Sequence, residues 1–192
     1  MILKNINKVY LGSKSPRRQE LLKGMGISFE LLLQDVDESF DAHLTKEAIP
    51  LYLCSIKAEA IKNKLKSNEL LITADTIVWV NNHVLNKPEN KEEAFKMINE
   101  LQNNKHIVYT AVQLTSLEKT ISFYEATEVE FNPLSPEEIN YYLDHFKPYD
   151  KAGAYGVQEW IGYNAIKSIN GSYTNVVGLP TARLYEALKK HF

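Results

Sequence analysis

The sequence predicts a mixed α/β fold with a largely antiparallel sheet, flanking helices and two lobes. Strand-like and helical segments alternate through the first half, the pattern of a layered α/β sheet. The longest β runs, His106–Thr115 and Thr120–Phe131, flank Ser116–Lys119 and read as one long hairpin. A hydrophobic content of 44% against 24% charged, over 192 residues, is ample for a sizeable core.

The elements follow in order. Lys8-Val9-Tyr10-Leu11 reads as a strand end. Ser15 is a good helix N-cap and Pro16 suits the first helical position, where a missing N–H costs nothing. Leu21, Leu22 and Met25 give that helix an apolar stripe, and Gly24 and Gly26 are stop signals. Phe29–Leu33 is a short strand, followed by the acidic loop Asp35-Val36-Asp37-Glu38. Residues 45–66 predict a long helix, with Pro50 tolerable near its start. Leu70–Ala74 is an apolar strand that delivers Asp75 at its end. Thr76–Val80 and Val84-Leu85 flank a hairpin turn at Asn81-Asn82-His83. Asn90 with Glu93, and Ser135 with Glu138, are capping boxes opening two further helices. The segment Asp150–Gln158 is glycine-rich. Strand-like residues 165–169, a loop at Gly171–Asn175 and a helix from Pro180 to Lys190 complete the chain.

The balance of charge and cysteine narrows the function classes. A net charge of −2 gives no global attraction for nucleic acid or anionic lipid, so no nucleic-acid polymer is expected as a partner. The single cysteine, Cys54, fits a reducing compartment and reads as a packed thiol. Met1–Asn5 is too short and polar for a signal peptide, and no apolar run approaches the ~18–20 residues that cross a bilayer. The expectation is one cytoplasmic domain over residues 1–192, with no membrane partner.

Two arginines, Arg17 and Arg18, fall in the first turn of the first helix. Cations are unfavourable beside the positive end of a helix dipole, so local folding does not explain them. A phosphate held by the free N–H groups and the guanidiniums does. Lys57 lies four residues from both Leu53 and Ile61, on the buried stripe of its helix, where a lysine either snorkels to solvent or pairs with an anion. Lys87 and Lys151 are further cations at element ends, and Asp37, Glu38 and Asp75 are the acids at comparable positions. A triphosphate carries about four negative charges, and point cations plus a carboxylate-held divalent metal are the usual way to neutralise them. Taken alone, Asp75 reads equally as a loop or cap residue, and Asp37-Glu38 as a solvated turn. The five histidines show no metal-ligand spacing, and neither GxxxxGK[ST] nor GxGxxG occurs.

Together these pieces resemble the Maf family of nucleotide pyrophosphatases, along nearly the whole chain and in order. The resemblance is carried by Ser13-Lys14-Ser15-Pro16-Arg17-Arg18-Gln19-Glu20-Leu21-Leu22, Val36-Asp37-Glu38, Lys57-Ala58, Ala74-Asp75-Thr76-Ile77-Val78, Leu85-Asn86-Lys87-Pro88 and Thr110-Ala111-Val112. It continues through Asp150-Lys151-Ala152-Gly153-Ala154-Tyr155-Gly156-Val157-Gln158, Asn170-Gly171-Ser172-Tyr173 and Val177-Gly178-Leu179-Pro180. The resemblance implies hydrolysis of nucleoside triphosphates to monophosphate and pyrophosphate with a divalent metal such as Mg²⁺, Mn²⁺ or Co²⁺. It implies a fold like that of the inosine triphosphate pyrophosphatases, with a cleft between two lobes, and often a homodimer.

By the same resemblance Asp75 is the general base that activates water at the α-phosphorus. Glu38, Lys57 and Lys87 are the other catalytic positions, and Glu38 and Asp75 the metal ligands. Ser13, Arg17, Arg18, Thr76, Lys151 and Gln158 bind substrate. Family members acting on dTTP and UTP are similar to this chain in carrying arginine at position 17, threonine at 76 and glutamine at 158. The branch acting on 7-methyl-GTP carries tryptophan, glutamine and glutamate there. The amide of Gln158 suits a uracil or thymine edge, since it both donates and accepts.

Three loops depart from the family pattern: Leu101-Gln102-Asn103-Asn104-Lys105 before His106, Asn82 in place of a hairpin glycine, and Lys147-Pro148-Tyr149-Asp150-Lys151. They leave the catalytic set intact. The competing reading is a nucleotide-binding regulator of cell division without significant catalysis, which would need no base at Asp75.

Overall fold

The computed structural model describes residues 6–192. Met1–Asn5, expected not to form a signal peptide, lie outside the described residues. The chain divides into two compact units. The first holds the chain through Asp75 together with Thr110–Glu125 and Gly178–Phe192; the second holds Thr76–Tyr109 and Ala126–Val177.

In the first unit, β1 (Lys8–Leu11) pairs in parallel with the short β2 (Glu30–Leu31) and with the start of β3 (Glu69–Val80). Between β1 and β2 runs α1 (Pro16–Gly24), and between β2 and β3 runs α2 (Ala48–Lys62). The terminal helix α7 (Thr181–His191) packs Leu184 and Leu188 with Val9, Leu11, Leu22, Leu70, Ile72, Val112 and Leu114 in one buried cluster. The inner face of α2 presents Ala58 and Ile61 to Leu65 and Leu71. Gly12 lets the chain leave β1 tightly beside β3, because a Cβ there would sit 2.8 Å from Thr73 Cγ2.

In the second unit, β3 turns at Asn81-Asn82 into β4 (His83–Leu85). Both turn residues have positive φ, 45° and 64°, as a two-residue type I′ hairpin requires. Asparagine tolerates that conformation, so the family's hairpin glycine is replaced without loss of the turn. The helix α3 (Lys91–Leu101) and α4 (Pro136–Phe146) bury Ala94, Met97, Ile98, Leu101, Ile139, Tyr142 and Leu143 in a second core. The Ser135 capping box of α4 is present in both directions. At α3 the Asn90 side chain accepts from the Glu93 amide, while Glu93 reaches back to the Glu89 amide instead of that of Asn90. That unit is completed by a 3₁₀ turn (Ala152–Ala154), α5 (Trp160–Asn164), β7 (Ile166–Asn170) and α6 (Tyr173–Val177).

Among the described residues the strands form a seven-stranded sheet in the order β2-β1-β3-β5-β6-β7, with β4 against β3; β5 is Lys105–Thr115 and β6 is Thr120–Phe131. The β1 pairs are parallel, whereas β3–β4 and β6–β7 are antiparallel and β5 and β6 join through the tight turn Ser116–Lys119. The mixed α/β class is therefore as the sequence predicts. Three local expectations are corrected. The β3 strand continues without a break from Glu69 to Val80, so Asp75 lies within a strand and not at its end; Thr76, Ile77 and Val78 are good strand formers and nothing there stops the ladder. The long helix starts at Ala48 and ends at Lys62, short of residues 45–66. The expected loop Gly171–Asn175 is helical from Tyr173 on, where the one-turn α6 (Tyr173–Val177) begins. Among the described residues, no helix is long and apolar enough to cross a membrane.

Candidate functional site

In the first unit the site begins at the β1–α1 connection. Ser15 caps α1 by accepting from the Arg18 amide at 3.5 Å, and its own amide donates to Ser13 Oγ at 3.3 Å. The buried Ser13 hydroxyl also accepts from Arg18 Nη1 at 3.2 Å, while Arg18 Nε donates to the Gly178 carbonyl at 2.9 Å. Arg18 thus has a structural duty that its sequence position does not announce: it ties α1 to the segment leading into α7. Its fork of donors allows this alongside a phosphate contact. Arg17 is half-buried on the same first turn.

The acidic loop separates into two roles. Asp37 accepts from the amide and hydroxyl of Ser39, both at 2.9 Å, and those bonds hold its carboxyl below the usual range. Asp37 is a turn residue. Glu38, one position on, reaches Lys57 Nζ at 3.0 Å, and Lys57 also donates to Asp75 Oδ2. The Lys57 and Asp75 side chains are only 14% and 12% exposed, against 45% for Glu38. Lys57 therefore pairs with anions and does not snorkel. Burial alone would lower its pKa, but the charge and hydrogen bonds of Asp75 and Glu38 outweigh it and raise the ammonium above its ordinary value. Two carboxylates converge on one permanent cation at mid-strand.

The walls of that cluster are inert. Cys54 is fully buried on α2 and donates to the Ala111 carbonyl at 3.1 Å. Burial and the nearby Asp75 charge push its thiol pKa up, so it stays protonated and unreactive. Thr73, two residues before Asp75, donates to the Cys54 carbonyl at 3.0 Å and locks α2 to β3.

No group of three or more His, Cys, Asp and Glu side chains able to hold a metal occurs among the described residues. Glu38 and Asp75, which share Lys57, are the carboxylates there that could hold an ion such as Mg²⁺, which keeps several waters and takes one or two carboxylates plus substrate phosphates. A dedicated all-protein cage is not needed for that ion.

In the second unit, Thr76 is half-buried on β3 and Lys87 is exposed just after β4. The Gly153 amide donates to the Asn86 carbonyl at 3.1 Å, which brings Lys87 and the Lys151–Gln158 segment together. Gly153 is required twice over: its φ is +68°, and a Cβ there would lie 2.9 Å from Val78 Cγ2. Lys151 is 11% exposed and pairs with Asp150 at 2.8 Å and Glu159 at 2.9 Å. Gln158 is exposed. Each expected position thus stands in one of two sets: Ser13, Arg17, Arg18, Glu38, Lys57 and Asp75 in the first unit, Thr76, Lys87, Lys151 and Gln158 in the second.

Sequence reasoning missed Glu159, the partner of Lys151, and the Tyr142 hydroxyl behind it. The one available signal was an acid directly after Gln158 at the start of α5. His106 is buried with Nε2 2.8 Å from Tyr155 Oη, edge-on to Phe131 and Tyr155. Burial pushes its pKa down to about 3, so it is neutral packing in the second unit.

The profile of the family described as Maf, Maf-like protein, matches residues 8–191. A dTTP/UTP pyrophosphatase of Bacteroides thetaiotaomicron is 50% identical, covering 98% of this chain and 100% of its own. One from Parabacteroides distasonis is 49% identical across the whole of both chains, and one from Flavobacterium johnsoniae is 47% identical over 94% and 93%. Among solved structures, the Staphylococcus aureus Ham1 protein covers 65% of this chain and 72% of its own at 15% identity, with a TM-score of 0.45.

Proposed function

We infer, from the premise that this chain belongs to the Maf family, that it is a nucleotide pyrophosphatase hydrolysing dTTP and UTP to the monophosphate and pyrophosphate. The observation that carries the chemistry is the buried Lys57 ammonium shared by Asp75 and Glu38. A binding module needs cations for phosphate but has no use for a shielded carboxylate held at a fixed point. A hydrolase does.

In this reading the α1 N-terminus, Ser13, Arg17 and Arg18 bind phosphate oxygens. Asp75 takes a proton from a water as that water's oxygen attacks the α-phosphorus. The bond from the α-phosphorus to the bridging oxygen of the β-phosphate breaks, and pyrophosphate leaves. Lys57 supplies the counter-charge that fixes the Asp75 carboxylate, and Lys87 and Lys151 offset the negative charge growing on the leaving group. A divalent metal held through Glu38 and Asp75 would supply further charge neutralisation to the phosphates. Arg17, Thr76 and Gln158 choose the base; they agree with the pyrimidine-selective pattern, as do the names of the relatives at about half identity. The enzyme works in the cytoplasm, with a homodimer as its expected assembly.

The test is direct. Purified protein is incubated with dTTP, UTP or 7-methyl-GTP and Mg²⁺ or Mn²⁺, and pyrophosphate is measured. Turnover of the pyrimidine nucleotides over 7-methyl-GTP is expected. Tight binding of UTP without turnover would instead favour the regulator.

A further inference from the structure

Outside the carboxylate cluster, a second polar network in the second unit is centred on Glu159. Its Oε1 accepts from Lys151 Nζ at 2.9 Å, and its Oε2 accepts from the Tyr142 hydroxyl. The same hydroxyl oxygen accepts from the Gly156 amide at 3.0 Å. The Glu159 amide closes the loop by donating to the Gly156 carbonyl at 3.0 Å. Tyr142 is fully buried on α4, so Glu159 reaches a rigid part of the core and not a surface loop. Burial and the Glu159 carboxylate both keep the phenol protonated, hence a donor.

Gly156 supports the same conclusion by its size. A Cβ on Gly156 would lie 2.7 Å from Glu159 Cδ and 2.8 Å from Oε2, so the carboxylate rests against the bare backbone. Two points of one segment, the Lys151 side chain and the Gly156 backbone, are therefore fixed by a single carboxylate with one buried hydroxyl behind it. Gln158 lies between Gly156 and Glu159 and is itself exposed. Its amide is carried on the segment that this anchor holds.

We propose that Glu159 is a positioning residue: it holds Lys151 and, through Tyr142, the Gly156 backbone, so that the Lys151 ammonium and the Gln158 amide meet phosphate and base in fixed register. This rests on the reading that Lys151 and Gln158 bind substrate. Glu159 itself does not touch the reacting atoms. Without Glu159, Lys151 would keep only the exposed Asp150 as partner and would still be attracted to a triphosphate, but it would spend more rotamer entropy on binding, and Gln158 would lose its aim.

The experiment compares wild type with Glu159→Ala, Glu159→Gln and Tyr142→Phe in two measurements. In steady-state kinetics, Glu159→Ala is expected to raise KM for UTP about tenfold, the size of a lost hydrogen bond to a charged group, while kcat changes far less. Preference for UTP over CTP falls with it, because the base is no longer read from a fixed amide. Glu159→Gln keeps an oxygen for the Tyr142 hydroxyl but loses the negative charge that faces Lys151, so its KM lies between; it also serves should Glu159→Ala not fold. In hydrogen exchange, which needs no turnover, the Gly156 amide is expected to exchange about tenfold faster in Glu159→Ala and Tyr142→Phe. Folded variants with unchanged Gly156 exchange, or with KM and base preference as in wild type, overturn the proposal. Faster exchange in variants of a protein that never hydrolyses UTP would support the anchor while defeating the pyrophosphatase reading.

Discussion

Replacing Lys57 by methionine removes the cation from the Glu38–Lys57–Asp75 cluster while keeping most of its buried methylene stem. The two contacts differ in weight. Glu38 is 45% exposed, and an exposed pair contributes about 0–1 kcal/mol. Asp75 is 12% exposed and Lys57 14%, so that pair belongs with buried ones, where deleting one partner costs about 3–5 kcal/mol. The remaining exposure lets water reach the orphaned carboxylate, and methionine preserves the packing of the stem. The expected loss is therefore at the low end, about 3 kcal/mol, or roughly 6–12 °C in Tm for a chain of this size. Urea unfolding followed by circular dichroism at neutral pH measures it. A double-mutant cycle with Asp75→Asn should return a coupling of about 2 kcal/mol, because the second change removes the charge that the first left unpaired. A loss below about 1 kcal/mol, with coupling indistinguishable from zero, would refute the claim that this pair is buried and mutually required.

The same pair fixes the pH dependence. Lys57 has a folded pKa above its unfolded value, so its contribution is fully present below about 10.4 and is lost as pH rises through the raised folded value. The stability gap between wild type and Lys57→Met should stay flat from neutral pH to about 10 and narrow above it. A gap that narrows between neutral pH and about 9 would contradict the raised ammonium.

Other outcomes are expected. Asp75→Asn keeps size but removes base capacity, and kcat should fall at least about 10²-fold; a smaller loss argues against the base role. His106 is held neutral with a folded pKa of about 3, below its unfolded value of about 6.5, so stability falls on acidification across that interval by up to about 1.4 kcal/mol per pH unit. His106→Gln, which does not titrate, should escape this component, visible as a gap to wild type that changes with pH below about 6.5 and not above. Cys54 should not react with a thiol reagent in the native protein and should react fully in urea; rapid labelling without unfolding would contradict its burial.

Much of this site was legible because local chemistry and global role coincide. The Ser15-Pro16 start of α1 announces itself through capping preferences, and two arginines beside it conflict with the dipole, so an anion was readable there. Lys57 stood out as a cation on an apolar stripe, and the structure supplies the anions. Asp75 was found for a reason that does not hold, since β3 runs on past it; polarity at a buried strand position was the sounder signal. Asp37 and Glu38 were indistinguishable as neighbours in an acidic loop, and only tertiary contact separates the turn residue from the Lys57 partner. The hub at Glu159 was hidden for the same reason, because its partners lie on α4 and on the far side of Gly156. Non-local pairing has no periodicity to read.

The central claim is hydrolysis at the α-phosphorus with Asp75 as base, and heavy-oxygen water tests it most directly. UTP is turned over in the labelled water with Mg²⁺, and both products are examined by mass spectrometry. Equimolar UMP and pyrophosphate, with the label in UMP alone and the reaction abolished in Asp75→Asn, is the predicted result. Label in pyrophosphate, release of UDP and phosphate, or undiminished labelling of UMP by Asp75→Asn would contradict it.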